Sequence, residues 1–316
     1  MQNYIIRRLL QGVLVLIASS IIIFVVMRVL PSDPVLTRAG ATNIWSEEMA
    51  REMRAKFGLD KPVHIQYIRW VAGALRGDFG VSYYNQFSVT TLLKRKLGAT
   101  IELAVAALLL SLIIAIPAGI LSAVKHNTWV DYLTSGFVTI GISIPSFWLG
   151  IILVIIFSVW LKVLPSGGYV PFFENPLQNL RLLILPATTL AIILAAPTMR
   201  FLRSSLLEVL RQDYIRTARS KGLDERKVLY RHAMRNALIP TVTILGIIIG
   251  SLISGVVLVE WVFTWPGIGW LAVDSVFKRD YSVVQTVTLF ITMMIVLVNL
   301  AVDLAYGFLD PRIHYN

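Results

Sequence analysis

The sequence predicts an all-α polytopic membrane protein with six transmembrane helices, on three observations. Only 15% of the 316 residues are charged, where an average globular chain carries about 25%, and 56% are hydrophobic, with a mean hydropathy of +0.72. Six intervals are free of charge or nearly so, and each approaches or exceeds the ~20 apolar residues that cross a bilayer as a helix. Lys and Arg nevertheless outnumber Asp and Glu by 29 to 18, a net +11 with a pI near 10.0. In a polar chain that excess would point to nucleic acid; in an apolar chain it points to cations gathered in the loops of a membrane protein. A soluble enzyme and a DNA-binding domain are therefore disfavoured, and no nucleic-acid partner is expected. The absence of cysteine excludes a disulfide scaffold, thiolate metal sites and a cysteine nucleophile.

The first interval, Leu9 to Met27, follows Arg7 and Arg8. It is too long for the apolar core of a signal peptide, and Val29-Leu30-Pro31-Ser32-Asp33-Pro34 behind it offers no small-x-small cleavage site. Residues 1–30 thus read as an N-terminal tail and an uncleaved first span. Residues 31–98 read as an extracytoplasmic helical loop. Ser46 caps a helix with Glu47 and Glu48 in its first turn, which stops before Gly58; Asp60 and Pro62 open a second, running to about Arg76 and ending at Gly77. Ile65, Ile68, Val71, Ala72 and Leu75 share a face of that second helix and are expected to pack on the spans. Such a cap either covers helix ends or guides a substrate-delivery partner. Residues 99–316 hold the remaining five spans, Leu103 to Thr128 (broken by Lys125 and His126 near its end), Tyr132 to Leu161, Leu182 to Met199, Asn236 to Val259, and Tyr281 to Val302.

Arg7 and Arg8 place the N-terminus in the cytoplasm, and six spans return the C-terminus to the same side. The cytoplasmic stretch from Arg200 to Arg235 carries ten Lys and Arg against Glu208, Asp213, Asp224 and Glu225, which is more than half of the net +11. Within it Asp213 is a candidate N-cap and Gly222 a candidate stop, enclosing a helix of about 12 Å. Tyr214, Ile215 and Ala218 share one face, Thr217 and Ala218 are small, and Arg216, Arg219 and Lys221 surround them; Leu223 follows the stop. Asp224 and Glu225 then open a helix leading through Pro240 into the next span. A short capped amphipathic helix suits insertion into a groove on a soluble partner. The plainer alternative is a basic loop resting on lipid headgroups.

Chemistry is conspicuously missing. No Gly-x4-Gly-Lys-Ser/Thr loop occurs, so this chain is not expected to cradle ATP phosphates. His64, His126, His232 and His314 all lie outside the span cores and form no His-Glu-x-x-His, so neither a metal site nor a catalytic residue is expected. Ser143 is not followed by x-Gly and makes a poor nucleophile elbow. With Pro145 it instead marks a helix irregularity facing a neighbour or a cavity, where broken backbone is tolerated. Ser143, Pro145, Ser251 and Ser254 are the substrate-pathway candidates, although small residues also serve helix packing. Glu102 and Asp303 lie near the ends of their spans and are expected to be hydrogen-bonded near an interface. The leading reading is a non-catalytic transport subunit. A self-sufficient channel or secondary transporter is the alternative, but it would be expected to show more buried charge, inverted repeats or a carbonyl filter.

Arg216-Thr217-Ala218-Arg219-Ser220-Lys221-Gly222-Leu223, continuing as Arg231-His232-Ala233-Met234-Arg235-Asn236-Ala237-Leu238-Ile239-Pro240, resembles the cytoplasmic coupling loop of permeases in binding-protein-dependent ABC importers of the dipeptide/oligopeptide/nickel type. The resemblance covers essentially the whole chain. It includes Leu30-Pro31-Ser32-Asp33-Pro34, Phe57-Gly58-Leu59-Asp60, Gly77-Asp78-Phe79-Gly80, Ala99-Thr100-Ile101-Glu102, Val259-Glu260-Trp261, Trp265-Pro266-Gly267-Ile268-Gly269, Arg279-Asp280-Tyr281 and Asp310-Pro311-Arg312. The long first outer loop is similar to that of the first-listed permease of such systems. Ser32 stands where the family usually has Gly, and Met234 where Leu is common.

The resemblance implies a type I ABC importer permease in a bacterial or archaeal cell (inner) membrane. It implies four partners beside membrane lipid: a second homologous permease, two ATP-binding subunits that hold the ATP and Mg, and an external solute-binding protein or lipoprotein. No cofactor is implied for this chain itself. Within the coupling loop, 200–236, Asp213 to Leu223 would meet the ATPases and act as a lever. Peptides are the most expected solute, with nickel chelates, glutathione-like thiols and oligosaccharides also carried by members of this type.

Overall fold

Inside a bilayer a backbone has no water to bond, so an apolar chain must satisfy its peptide groups within helices. The computed structural model describes residues 2–29 and 47–309, and these are helices and connecting turns apart from one isolated antiparallel bridge, Val81 to Ser88. The strings 30–34 and 310–312 and the predicted cap Ser46 lie outside the described residues.

Among the described residues, five helices are long and apolar enough to cross a membrane. They are α1 (Gln2–Val29), α4 (Val89–Val124), α7 (Pro176–Leu210), α9 (Glu225–Lys227, Val228–Ala233 and Met234–Val262 in continuous succession) and α11 (Tyr281–Leu309). The remaining predicted interval, Tyr132 to Leu161, is a bent pair, α5 (Trp129–Ser143) and α6 (Ser146–Trp160), whose axes turn by 108°. Counted as one span it brings the total to six. The irregularity expected at Ser143 and Pro145 is thus a complete break. Pro145 donates no hydrogen bond, and a residue before proline is pushed out of the helical region; Ile144 accordingly has φ −89 and ψ 127. By contrast Pro117, Pro186, Pro197 and Pro240 all sit inside continuous helices, as membrane helices permit.

The chain divides into two compact units, one built mainly on residues 101–265, the other on 7–100 with 266–297. In the first unit α7 is the central helix. Leu190, Ala191, Leu194, Ala195 and Met199 are buried along it, and it begins at Asn175, whose side chain accepts from the Gln178 N–H at 3.1 Å. Close packing rests on small residues: a Cβ on Gly141 would stand 2.9 Å from the Ala196 Cβ. Both α7 and α9 extend well beyond the predicted span limits, so most of the basic stretch from Arg200 to Arg235 is helical, and the connection proper is only the segment around α8 (Asp213–Ser220).

In the second unit the two predicted loop helices are present as α2 (Glu47–Lys56) and α3 (Val63–Leu75). The face of α3 expected to pack does so only in part, with Ile65, Val71 and Ala72 half-buried. Ile68 is 63% and Leu75 84% exposed, while the packed side carries Gln66, Tyr67 and Trp70. Tyr67 shares a 2.8 Å hydrogen bond with Ser20, Trp70 stacks on Phe24 with centroids 6.1 Å apart, and Arg28 donates to the Gln66 Oε1 at 2.8 and 3.0 Å. Amphipathic aromatic and amide side chains pair with the polar and aromatic residues at the end of α1, whereas near a membrane an aliphatic stripe needs no protein cover. An unpredicted helix, α10 (Ile268–Phe277), packs Ile268 and Leu271 among Val89, Leu93, Val283 and Val287. Before α11 the buried Asp280 accepts from the Ser82 hydroxyl and from the Tyr83 and Tyr84 N–H groups at 3.0 and 3.4 Å, tying that turn to the helix start.

Candidate functional site

Helix α8 spans eight residues between α7 and α9. Its start differs from expectation by one position. Gln212 is the N-cap residue and Asp213 the first helical one, with a 96% exposed side chain; a carboxylate there still complements the helix dipole without capping. The end is as predicted. Gly222 has φ +75, a left-handed conformation that favours glycine, and its N–H donates to the Arg219 carbonyl at 2.9 Å.

The orientation of the apolar face is the larger difference. Ile215 is 0% and Ala218 8% exposed, and both sit in the chain's own core with Ile120 and Ala123 of α4, Leu202 and Leu206 of α7, and Val228, Ala233 and Ala237 of α9. Of the residues expected to meet a partner, Ile215 and Ala218 are therefore already occupied within this chain. An eight-residue helix has one apolar stripe, and burying Ile215 alone contributes about 2 kcal/mol toward holding it on the spans. Tyr214 is half-exposed, its hydroxyl accepting from Asn236 Nδ2 at 2.8 Å. Asp213, Arg216, Thr217, Arg219, Lys221, Gly222 and Leu223 form the exposed side. Arg216 lies 3.6 Å from Asp213, and Arg219 donates to Glu225 at 2.6 Å.

Behind the same helices lies a buried ionic node that sequence reasoning missed. Asp131, 3% exposed, accepts from Arg203 Nε at 2.7 Å and Nη2 at 2.8 Å, from the Ser122 hydroxyl at 2.6 Å and from the Asn127 N–H at 3.0 Å. His126 Nδ1 is 3.0 Å from its second oxygen. A bidentate arginine is the partner best able to hold a buried carboxylate. Arg203 was counted among the loop cations; it is instead fixed to the start of α5, 72 residues earlier in the chain.

Next to this node is a cavity of about 320 Å³ lined by Ser122, Ser135, Thr139, Ser143, Arg200 and Arg203, among others. Ser135, Thr139 and Ser143 fall four residues apart on α5 and so share one face. Of the predicted pathway residues, Ser143 lines this cavity and Pro145 stands at the break beyond it. Ser251 and Ser254 are on α9, with side chains outside the described residues. Glu102 is engaged elsewhere: it accepts from the Tyr169 hydroxyl at 3.1 Å and Asn179 Nδ2 at 2.5 Å. Burial, with the Glu102 carboxylate beside it, pushes the Tyr169 phenol up to about 12.

Two family descriptions match the chain. The binding-protein-dependent transport system inner membrane component matches residues 115–315, and the N-terminal part of such membrane components matches residues 1–104. The oligopeptide transport system permease protein AppB of Bacillus subtilis (strain 168) is 41% identical over 318 residues, covering 100% of both chains. A putative peptide transport system permease protein of Brucella suis biovar 1 is 40% identical over 316 residues, again covering 100% of both. Among solved structures, the inward-facing MetNI methionine ABC transporter matches with TM-score 0.58 at 20% identity, over 69% of this chain and 96% of that one. An amino acid ABC transporter with histidines matches with TM-score 0.54 at 15% identity, over 70% and 95%.

Proposed function

This chain belongs to the family of binding-protein-dependent transport system inner membrane components, as a permease subunit of an ABC importer, and on that premise we propose that the solute it passes is a peptide. The support is that relatives 40–41% identical along their full length are named as peptide or oligopeptide permeases. The chain is a transport component rather than an enzyme. In the proposed complex it pairs with a second, homologous permease; two ATP-binding subunits hold the ATP and Mg, and an external binding protein delivers the solute. Both termini and α8 lie on the cytoplasmic side of a bacterial or archaeal cell membrane.

The observation that carries the coupling reading is the two-sidedness of α8. Ile215 and Ala218 lock it to α4, α7 and α9, while Asp213, Tyr214, Arg216, Thr217, Arg219 and Lys221 to Leu223 leave a polar, cationic side for the ATPases. A partner pressing on that side moves the helix with the spans it is rooted in, because a packed core transmits displacement rather than absorbing it. Charges at the rim of such a contact govern rate and specificity more than affinity. The serine and threonine face of α5 then lines the way for the solute.

The test uses the reconstituted importer. Arg216→Glu combined with Tyr214→Ala is expected to leave assembly intact and lower binding-protein-stimulated ATPase activity about tenfold, the effect of losing one or two interface contacts. Unchanged stimulation would remove α8 from the ATPase contact. For the solute, ATP-dependent uptake of a labelled peptide should be abolished by excess unlabelled peptide, and indifference to any peptide would exclude the substrate class. This chain alone in liposomes should pass no solute.

A further inference from the structure

The second unit contains a pocket that the transport reading does not use. It has a volume of about 360 Å³ and lies between the end of α1, the two loop helices, the turn at Asp78 to Tyr83 and the start of α11. Three cations line it, and none is neutralised by a carboxylate among the described residues. Arg28 is held by the Gln66 amide oxygen and the Tyr83 side chain, both neutral. Lys56 donates to the Gln86 amide oxygen at 3.2 Å, and Arg69 has no acceptor among the described residues. Among the described residues Asp78 is the one acidic residue on the wall, and its Oδ1 accepts from the Gly80 N–H at 2.9 Å. The pocket therefore carries an excess of two positive charges.

Gln285 adds a polar group to the wall. Its side chain lines the pocket, the residue is 4% exposed, and the amide makes no side-chain hydrogen bond to any described residue. An amide that opens onto the pocket without a protein partner is free to donate to a ligand seated there. Phe24 and Trp70, stacked on one another, supply an apolar wall, and Arg28 lies 4.6 Å from the Phe24 centroid.

Position selects the ligand. Phe24 and Arg28 are at the end of one span, and Ser282 and Gln285 at the start of another. Tryptophan and tyrosine at span ends sit at the depth of lipid headgroups, and long arginine side chains reach that depth too, where phosphate oxygens accept charge-assisted hydrogen bonds. We propose that this pocket binds the phosphate headgroup of a membrane phospholipid, with Arg28 and Arg69 on the oxyanion and Gln285 donating to a headgroup oxygen. The lipid then serves as a bridging component that fastens α2 and α3 to α1 and α11. This assignment does not depend on which solute is carried.

A peptide carboxylate shares the oxyanion chemistry, so the experiment separates the two sources. The assembled importer is placed in nanodiscs of phosphatidylcholine with a minor fraction of phosphatidylglycerol, and retained lipid is counted by native mass spectrometry after detergent extraction. The intact complex should retain phospholipid, and Arg69→Gln should weaken retention about tenfold, as loss of one charge-assisted hydrogen bond does. Gln285→Leu removes the amide without altering charge; it should also weaken retention while leaving the melting temperature of the delipidated complex unchanged or higher. Equal retention by the parent and both variants would overturn the proposal. So would displacement of the lipid by a peptide with a free C-terminal carboxylate but not by its amide.

Discussion

Helices α8 and α3 are both short amphipathic segments set between spans, yet they are attached by opposite logic. On α8 the aliphatic stripe, Ile215 and Ala218, is wholly inside, and the polar side faces out. On α3 the aliphatic stripe is divided, with Ile65, Val71 and Ala72 half-buried and Ile68 and Leu75 exposed, and the attachment is aromatic and hydrogen-bonded through Tyr67, Trp70 and Gln66. Beneath α8 the neighbouring helices are cross-linked by a charged pair, Arg203 with Asp131; beneath α3 every side-chain partner of Arg28 is neutral. The difference teaches that periodicity identifies a helix but not which side of it meets protein. Where aqueous solvent bathes the outside, the aliphatic stripe must turn in; beside a bilayer that constraint lapses, and hydrogen bonds and ring contacts decide.

The comparison can be broken most directly at Ile215. Ile215→Asp puts an unpaired carboxylate where no solvent reaches, and at about 4 kcal/mol or more it should prevent accumulation of folded permease, as measured by monodisperse yield. Normal yield would mean that α8 is not rooted in the spans. Trp70→Ala, which removes a partly buried ring from the Phe24 stack, should cost about 2 kcal/mol. Asp131→Asn leaves the partly buried Arg203 without its counter-charge and should cost about 1 to 2 kcal/mol, read as a lower melting temperature of the purified complex. Adding Arg203→Met should recover part of the loss, and a double variant no better than the single one would show that the pair does not act as one. The smallest effect belongs to Leu75→Ser: at 84% exposure it should move stability in detergent by less than about 0.5 kcal/mol. A shift as large as that of Trp70→Ala would return the aliphatic face of α3 to the protein interior.

The spans were legible because charges bracket them: Arg7 and Arg8 in the first turns of α1, and Arg279 and Asp280 before α11, mark where hydration becomes possible. Both loop helices and the Gly222 stop were legible from glycine, proline and acidic first turns. Long-range pairing was not. Asp131 and Arg203 each looked like a loop-end charge, and nothing local in sequence says that two such charges neutralise one another 72 residues apart. An acidic residue directly ahead of an apolar run was the available sign, since a lone carboxylate there must find a cation or stay hydrated. Helix α10 escaped because Gly267 at its N-cap and Gly269 in its first turn are residues that favour turns over helix. Of the coupling segment, the boundaries were readable and the facing was not, for the reason α3 illustrates.

The break at Ile144-Pro145 has a consequence for the dielectric of the membrane interior. Each half of the bent pair is 15 residues at most, about 22 Å of helix, short of the roughly 30 Å of hydrocarbon. The carbonyls that end α5 lose the donors a continuous helix would have offered, and Ser143 adds a hydroxyl beside them. Lipid chains cannot solvate such groups, so this depth is one where water or a polar passenger is tolerated. A thirty-residue apolar interval that looks like the best insulator in the sequence is thereby the place where the insulation is interrupted.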